Sequence, residues 1–333
     1  MGRPRLNGFR QRRWVALVVA GLLVLPAGIR DIYMIRVLDL AGLYVLLALG
    51  LNIVVGYAGL LDLGYVAFYA VGAYLYALLA SPQFGFHLPF LLVFVLGGGL
   101  AALAGVLIGY PTLRLRGDYL AIVTMAFGEI VRILMNNLDS LTNGPQGIMQ
   151  IDELGLFGYH FNTPLRIYYL VLLLCALSVT LVRNLERSKI GRAWAAIRED
   201  EEAARGMGLN TRNLKLLAFA MGATTAGVAG VIFAGLQQFV SPESFTFWES
   251  ILILCMVVLG GMGSIPGVIV GSVVLVVLPE FLRTYEDYRM LFFGLALIVM
   301  MLLRPEGLWP SRRRGRELHE SRVTPAAGAG GAG

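Results

Sequence analysis

The stretch Leu88-Pro-Phe-Leu-Leu-Val-Phe-Val-Leu-Gly-Gly-Gly-Leu-Ala-Ala-Leu-Ala-Gly-Val-Leu-Ile-Gly-Tyr110 contains no Asp, Glu, Lys, Arg or His. It is long enough to cross a hydrocarbon core about 30 Å thick, which takes about 20 helical residues. Its apolar character is continuous, not alternating, which excludes a barrel strand, and in lipid each backbone N–H and C=O must then be satisfied within the segment. The stretch therefore reads as a membrane helix. Gly97, Ala101, Gly105 and Gly109 recur at every fourth position, the spacing that lets helices approach closely in lipid.

Working outward, similar runs occupy about 14–29, 33–55, 60–80, 118–138, 165–183, 213–239, 250–278 and 287–303. Composition agrees: 57% of the 333 residues are hydrophobic and 14% charged, against roughly 25% charged in a soluble domain. The expected fold is an all-α polytopic membrane protein of about 8–10 transmembrane helices, with lipid as its solvent. The first run follows five arginines, yet no small-residue cleavage site separates it from further membrane sequence, so it reads as a span and not as a signal peptide.

The net charge of +6 does not point to nucleic acid, because Lys and Arg cluster between apolar runs and at the termini. The arm 1–13 holds Arg3, Arg5, Arg10, Arg12 and Arg13, and the loop 183–215 holds Arg183, Arg187, Lys189, Arg192, Arg198, Arg205, Arg212 and Lys215. Loops 81–87, 139–164 and 241–249 have neither Lys nor Arg. Basic loops stay in the cytosol, so the arm and 183–215 are expected inside and the other three outside. Nine unbroken crossings would put the basic tail outside. The run 250–278 resolves this, because Gly260, Gly261, Gly263, Pro266 and Gly267 cannot sit in an undisturbed helix. Two short helical pieces, either re-entrant or each crossing separately, return both termini to the cytosol. Broken membrane helices survive only when buried in protein or lining a cavity, which makes Gly260, Gly261 and Gly263 candidates for a translocation path. The 14–310 region is thus one transmembrane domain, and 311–333, ending in Ala and Gly, reads as a disordered tail.

Two further small-residue stripes, Ala218/Gly222/Ala226/Gly230/Ala234 and Gly263/Gly267/Gly271, are expected at helix contacts. Cys175 and Cys255 lie inside apolar runs and read as packing residues.

The loop 183–215 is too long for a simple connection. Ala193, Ala196, Ile197, Ala203, Ala204 and Met207 fall on one helical face, interrupted by Asp200, with Arg198, Glu199, Glu201, Glu202 and Arg205 off it. A short helix with so small a face suits docking into a partner's groove, whereas a helix resting on the membrane surface carries large apolar residues.

Glu202-Ala203-Ala204 followed by Gly206 resembles the coupling motif by which ABC importer permeases engage their ATPases. Other motifs follow in order: Gly59-Leu-Leu-Asp-Leu-Gly-Tyr-Val-Ala-Phe68, Leu113-Arg-Leu-Arg-Gly-Asp-Tyr-Leu-Ala-Ile-Val123, Phe127-Gly-Glu-Ile-Val-Arg-Ile133, Thr142-Asn-Gly-Pro-Gln-Gly-Ile148, Ser241-Pro-Glu-Ser-Phe-Thr-Phe247, Val258-Leu-Gly-Gly-Met-Gly-Ser264 and Arg304-Pro-Glu-Gly-Leu308. Over residues 35–310 the chain resembles the M-type permeases of branched-chain amino acid ABC importers. The resemblance implies a bacterial inner-membrane subunit that pairs with a second related permease. Two ATP-binding subunits would dock beneath, and an external solute-binding protein would deliver Leu, Ile or Val. It also implies a coupling loop that includes Gly191, Arg192, Ala196, Ile197, Glu202, Ala203, Ala204 and Gly206. The chain has no Gly-x-x-x-x-Gly-Lys-Ser/Thr loop, so ATP and Mg²⁺ are expected on partner subunits and no cofactor on this one.

Ionisable groups within spans usually face a partner or a water-filled cavity, which brings in Asp62, Glu129 and Arg132. Glu129 and Arg132 are three apart and share a helical face, where they are expected to pair. Asp62, between Gly59 and Gly64, either caps a helix or lines the path. Asp118 is expected to cap its helix. His87, His160 and His319 lack metal-ligand spacing, and no catalytic constellation can be assembled. Asp62 and Glu129 keep open an ion-coupled carrier working alone. A related ABC permease for urea, amides or other amino acids would share the same coupling loop.

Overall fold

The computed structural model describes residues 31–281 apart from 114, 116, 157, 158 and 162, with isolated positions on either side. The arm, the tail and most of the runs at 14–29 and 287–303 lie outside the described residues. Helix α1, Ile32–Leu51, begins where the Asp31 carboxylate accepts a hydrogen bond from the Tyr33 N–H at 3.0 Å. It ends by widening into a π-helical turn, Asn52–Tyr57. Helix α2, Val66–Leu79, has 14 residues and rises only about 21 Å. The run expected as one helix over 60–80 is therefore an irregular segment, 58–65, followed by a short helix. The glycines explain it: Gly59 has φ +70°, and a Cβ on Gly64 would lie 2.0 Å from the Thr124 carbonyl oxygen.

Helices α3, Phe90–Thr112, α4, Asp118–Asn137, and α5, Pro164–Arg187, follow the expected runs closely. Asp118 sits in the first turn of α4 beside the positive helix end, but its side chain makes no capping hydrogen bond, and Gly117 holds the cap position. The basic loop folds as α6, Lys189–Glu199, and α7, Glu201–Gly206. Then come α8, Thr211–Gln237, α9, Phe247–Gly260, and α10, Ile265–Phe281. By length and apolarity four of the described segments suffice alone to cross a membrane: α1 with its π turn, α3, α5 and α8. Two antiparallel pairs of two-residue strands occur in the loops, one tying Ile148–Met149 to Phe239–Val240.

Helix α8 is the hub. On one side Gly227 meets α3, where its Cβ would lie 2.4 Å from Ala101 Cβ; Gly105 likewise abuts Ala223 at 2.7 Å. On the other side Gly222 abuts Val54 of the π turn and Gly230 abuts the backbone of α2, with a Cβ only 2.1 Å from the Tyr69 carbonyl oxygen. The stripe read from Ala218 to Ala234 is thus the face toward α1 and α2. A second small face, Ala223 and Gly227, receives the Gly97–Gly109 stripe. It is offset from the first by one position, so the two small faces adjoin around the helix.

The break in 250–278 falls at 261–264. Gly271 sits against the Met256 carbonyl and Gly260, and Gly267 against the Gly260 carbonyl, so α9 and α10 form an antiparallel hairpin closed by glycines. Gly263 belongs to the turn, at φ +81°, and not to the stripe expected from the sequence; the missing partner is Gly260. The turn lies at the same end of the bundle as the basic loop, because the Gly263 N–H donates to Asn52 Oδ1 at 2.8 Å and Arg198 lies beside it. The two helical pieces expected from the glycine cluster are therefore present, and the connection between them lies at the basic end of the bundle.

Candidate functional site

The basic end is built around Trp194. Ser188 caps α6 by accepting from the Gly191 N–H at 3.2 Å, and this turns α6 so that Gly191, Trp194 and Ile197 face the bundle. Trp194 is wholly buried, and its indole N–H donates to the Leu214 carbonyl of α8 at 2.7 Å. Asp200 ends α6 and caps α7, its Oδ1 accepting from the Glu202 and Ala203 N–H groups at 2.8 and 2.9 Å. A capped chain break in mid-loop is why one helix over 192–206 does not form.

Helix α7 is fastened to α8 by charge. Lys215 Nζ lies 2.5 Å from Glu201 Oε2, with side chains 7% and 19% exposed, and Arg205 reaches both Glu201 and the Thr211 hydroxyl. The assembly α6–α7–α8 is therefore tied at Trp194, Glu201 and Arg205.

This arrangement divides the residues expected in the coupling loop. Gly191, Ile197 and Ala204 are buried against their own chain and Ala196 is half-buried. They do not form a docking face. The apolar periodicity of 193–207 registers in part the helices' own anchorage to the bundle, because a face of buried small residues reads alike whether its partner is internal or external. Arg192, Glu202, Ala203 and Gly206 point to solvent, next to Met207, which is 84% exposed. Nothing lies within 4 Å of a Cβ placed on Gly206. Glu202, Ala203, Gly206 and Met207 form an outward patch on a rigid base, with small side chains flanked by charge.

A second set of residues surrounds segment 58–65. Asp62 is buried; its Oδ1 accepts from the Gly64 N–H at 3.0 Å, and Oδ2 has no hydrogen-bond partner. It shapes the turn ahead of α2 and does not cap the helix, which starts at Val66. The Leu63 N–H donates to Thr124 Oγ1 at 3.0 Å, and Gly64 meets Gly128, so the segment lies along α4. Gly260 and Gly261 are buried, Gly260 against Gly267 of the other hairpin arm.

Helix α4 buries only Leu120, Ala121, Thr124 and Gly128. Its remaining surface carries exposed Tyr119, Ile122, Met125, Ile130 and Ile133, together with the Glu129–Arg132 ion pair. The Arg132 Nε–H donates to Glu129 Oε1 at 3.0 Å, and the two side chains remain 40% (Glu129) and 29% (Arg132) exposed. The sequence flagged the pair. The unpartnered face around it shows only in the fold.

Known proteins agree with this architecture. Residues 33–301 match the family model described as branched-chain amino acid transport system / permease component. The high-affinity branched-chain amino acid transport system permease protein LivM of Escherichia coli is 45% identical, over 93% of this chain and 78% of that protein. LivM of Salmonella typhimurium is 48% identical over 81% and 68% respectively. The permease protein LivH of Escherichia coli is 26% identical, over 81% of this chain and 92% of that one. No solved structure matches. A multi-pass helical bundle, a family match across it and two LivM relatives over most of its length converge, and the chain belongs to the family of branched-chain amino acid transport permease components.

Proposed function

We propose that this chain is one half of the membrane pore of an ATP-driven importer for Leu, Ile and Val in the bacterial inner membrane. It pairs with a second related permease, receives substrate from a periplasmic or extracellular solute-binding protein, and docks two ATP-binding subunits through α7. ATP and Mg²⁺ reside on those subunits, and no nucleic acid is involved. The observation that carries the reading is the patch Glu202, Ala203, Gly206 and Met207, exposed on α7 and its C-cap, which with α6 is fastened to the hub helix α8. The lever needs such a build: an exposed handle that another protein grips, rigidly joined to the helix about which the bundle packs. Loop basicity supports a cytosolic place for it and a cytosolic position for both termini.

In this mechanism closure of the ATPases moves α6–α7 together with α8, and the spans tilt between inward-open and outward-open arrangements around a path between the two permeases. The α4 face supports that location, because a mid-span ion pair left partly exposed is costly against lipid and suited to an aqueous seam.

The test is Gly206→Trp in the assembled complex. Since a Cβ there has no neighbouring atom within 4 Å, insertion and thermal stability are expected to stay at wild-type values while leucine uptake and ATP hydrolysis stimulated by the binding protein disappear. Unchanged uptake would remove the coupling assignment. The ion-coupled alternative rests on the partnerless Asp62 Oδ2; uptake by this chain alone, driven by an ion gradient in vesicles lacking ATP and the binding protein, would establish it instead. What the binding protein retains decides between branched-chain amino acids and urea, amides or other amino acids.

A further inference from the structure

Arg198, one residue before the end of α6, lies one helical turn beyond Trp194 on the adjoining side of that helix; it is exposed, yet its guanidinium reaches back to the bundle. Its guanidinium donates to the carbonyl oxygen of Gly56, the last but one residue of the π turn. Its stem covers Gly59, where a Cβ would lie 2.7 Å from Arg198 Cγ, and Nη1 lies 3.6 Å from the Cβ position of Gly263 in the α9–α10 turn. Asn52 Oδ1 accepts from the Gly263 N–H at 2.8 Å, binding that turn to the same π turn. Three interruptions of regular structure thus meet under one side chain: the π turn, the start of segment 58–65, and the hairpin turn.

Segment 58–65 continues directly from this point to α4, touching it at Thr124 and Gly128. A glycine is required at each contact: Gly56, Gly59 and Gly64 would each place a Cβ within 2.7 Å of a neighbouring atom. Gly64 against the Thr124 carbonyl and Gly56 against the Gly263 nitrogen are contacts to backbone, while Gly59 packs on the Arg198 stem, and packing this close transmits strain with little slack. Arg198 is exposed like the charged flank around it, yet its guanidinium also donates inward to a carbonyl of the bundle, a contact that docking alone does not call for.

We propose that Arg198 is the positioning residue that passes the movement of α6–α7 through segment 58–65 to α4, and so couples nucleotide-driven motion to the path-lining face. The inference rests on the function proposed above and adds a route to it. Without Arg198 the handle still binds the ATPases and α8 still follows it, but α4 no longer moves in step. The complex then hydrolyses ATP without moving its load.

The experiment reconstitutes the full complex with its binding protein in proteoliposomes and measures radiolabelled leucine taken up per ATP hydrolysed. Arg198→Met keeps the stem over Gly59 and removes the guanidinium. The expected result is co-purification of the ATPases and stimulated hydrolysis within twofold of wild type, with uptake per ATP lowered about tenfold, the size of one coupling interaction between sites. Arg198→Lys, which restores a charged donor of similar reach, recovers at least about half of the ratio, as expected when one charge-assisted hydrogen bond forms the link. Should Arg198→Met not accumulate in the membrane, Arg198→Gln, too short to reach Gly56, carries the same expectation. A wild-type ratio in either variant overturns the inference, as does failure of both to accumulate, which would make Arg198 a folding residue. Loss of ATPase binding with Arg198→Met would also overturn it, placing the residue at the docking surface. Absence of ATP-dependent uptake in the wild-type complex is a different result and removes the proposed function itself.

Discussion

At the base of α8, Glu201 and Lys215 close on each other at 2.5 Å with side chains 19% and 7% exposed, whereas on α4 the Glu129–Arg132 pair is 40% and 29% exposed. The first pair joins two helices and is internal to the fold. The second lies within one helix, on a face that stays partly exposed among the described residues. Breaking a buried pair by removing one partner costs several kcal/mol, while a partly exposed pair three residues apart contributes little to the isolated fold. The difference matches the two roles proposed above, a stiff base at α6–α8 and a partly exposed face on α4.

The stiff half breaks most severely at its glycine contacts. Gly230→Leu places a side chain where the Cβ alone would be 2.1 Å from the Tyr69 carbonyl and 2.7 Å from the Ala73 nitrogen, both backbone atoms that cannot yield. Overpacking costs typically about 1–3 kcal/mol, and a clash with backbone on two helices lies at or beyond the top of that range. The variant is expected to fail to yield folded protein on detergent extraction. Gly99→Leu on α3, with nothing within 4 Å of its Cβ, serves as the control and shifts stability by no more than about 0.5 kcal/mol. Size-exclusion profiles and thermal unfolding of the two variants, side by side, measure how much of the packing resides in the α8 seams.

One step smaller is Trp194→Ala. It removes a wholly buried ring and leaves the Leu214 carbonyl without its donor, at a cost of about 3–5 kcal/mol for the lost packing. Trp194→Phe retains most of the ring and loses only the hydrogen bond, about 1 kcal/mol. Both values are readable by denaturant titration of the purified chain. If Trp194→Ala unfolds at the wild-type midpoint, α6 is not anchored through this residue, and the base is softer than its contacts imply.

Sequence reading reached the membrane fold because lipid imposes a length and an apolarity that show directly in runs such as 88–110. It reached the glycine seams for the same reason: close approach demands small residues at fixed spacing. Trp194 escaped because a lone aromatic in an otherwise charged, alanine-rich loop has no periodic partner to mark it. Arg198 lies on the exposed charged flank that the periodicity implies, and only the fold shows that its guanidinium also donates to Gly56 and its stem lies against Gly59. Hydropathy alone does not distinguish helix from extended chain across 58–65, and Gly59 and Gly64 on either side of Asp62 are the local signal of a helix interruption there.

The bare face of α4 yields the smallest stability effect and the sharpest functional contrast. If α4 faced lipid, replacing both charges with Glu129→Leu/Arg132→Leu would remove the cost of holding them in hydrocarbon, raise the unfolding temperature in bilayers and leave leucine uptake unchanged. If α4 lines an aqueous seam against the second permease, the same double variant changes the stability of the isolated chain by less than about 1 kcal/mol and lowers uptake in the assembled complex severalfold, because an apolar wall replaces a hydrated one. Glu243 lies near enough to act on Arg132 electrostatically, so Arg132→Leu alone also leaves an uncompensated acidic pair at that end of the helix and depresses uptake more than Glu129→Gln does. The order of these three variants in leucine uptake, measured against their order in thermal stability, separates a face built for water from one that merely tolerates a pair of charges.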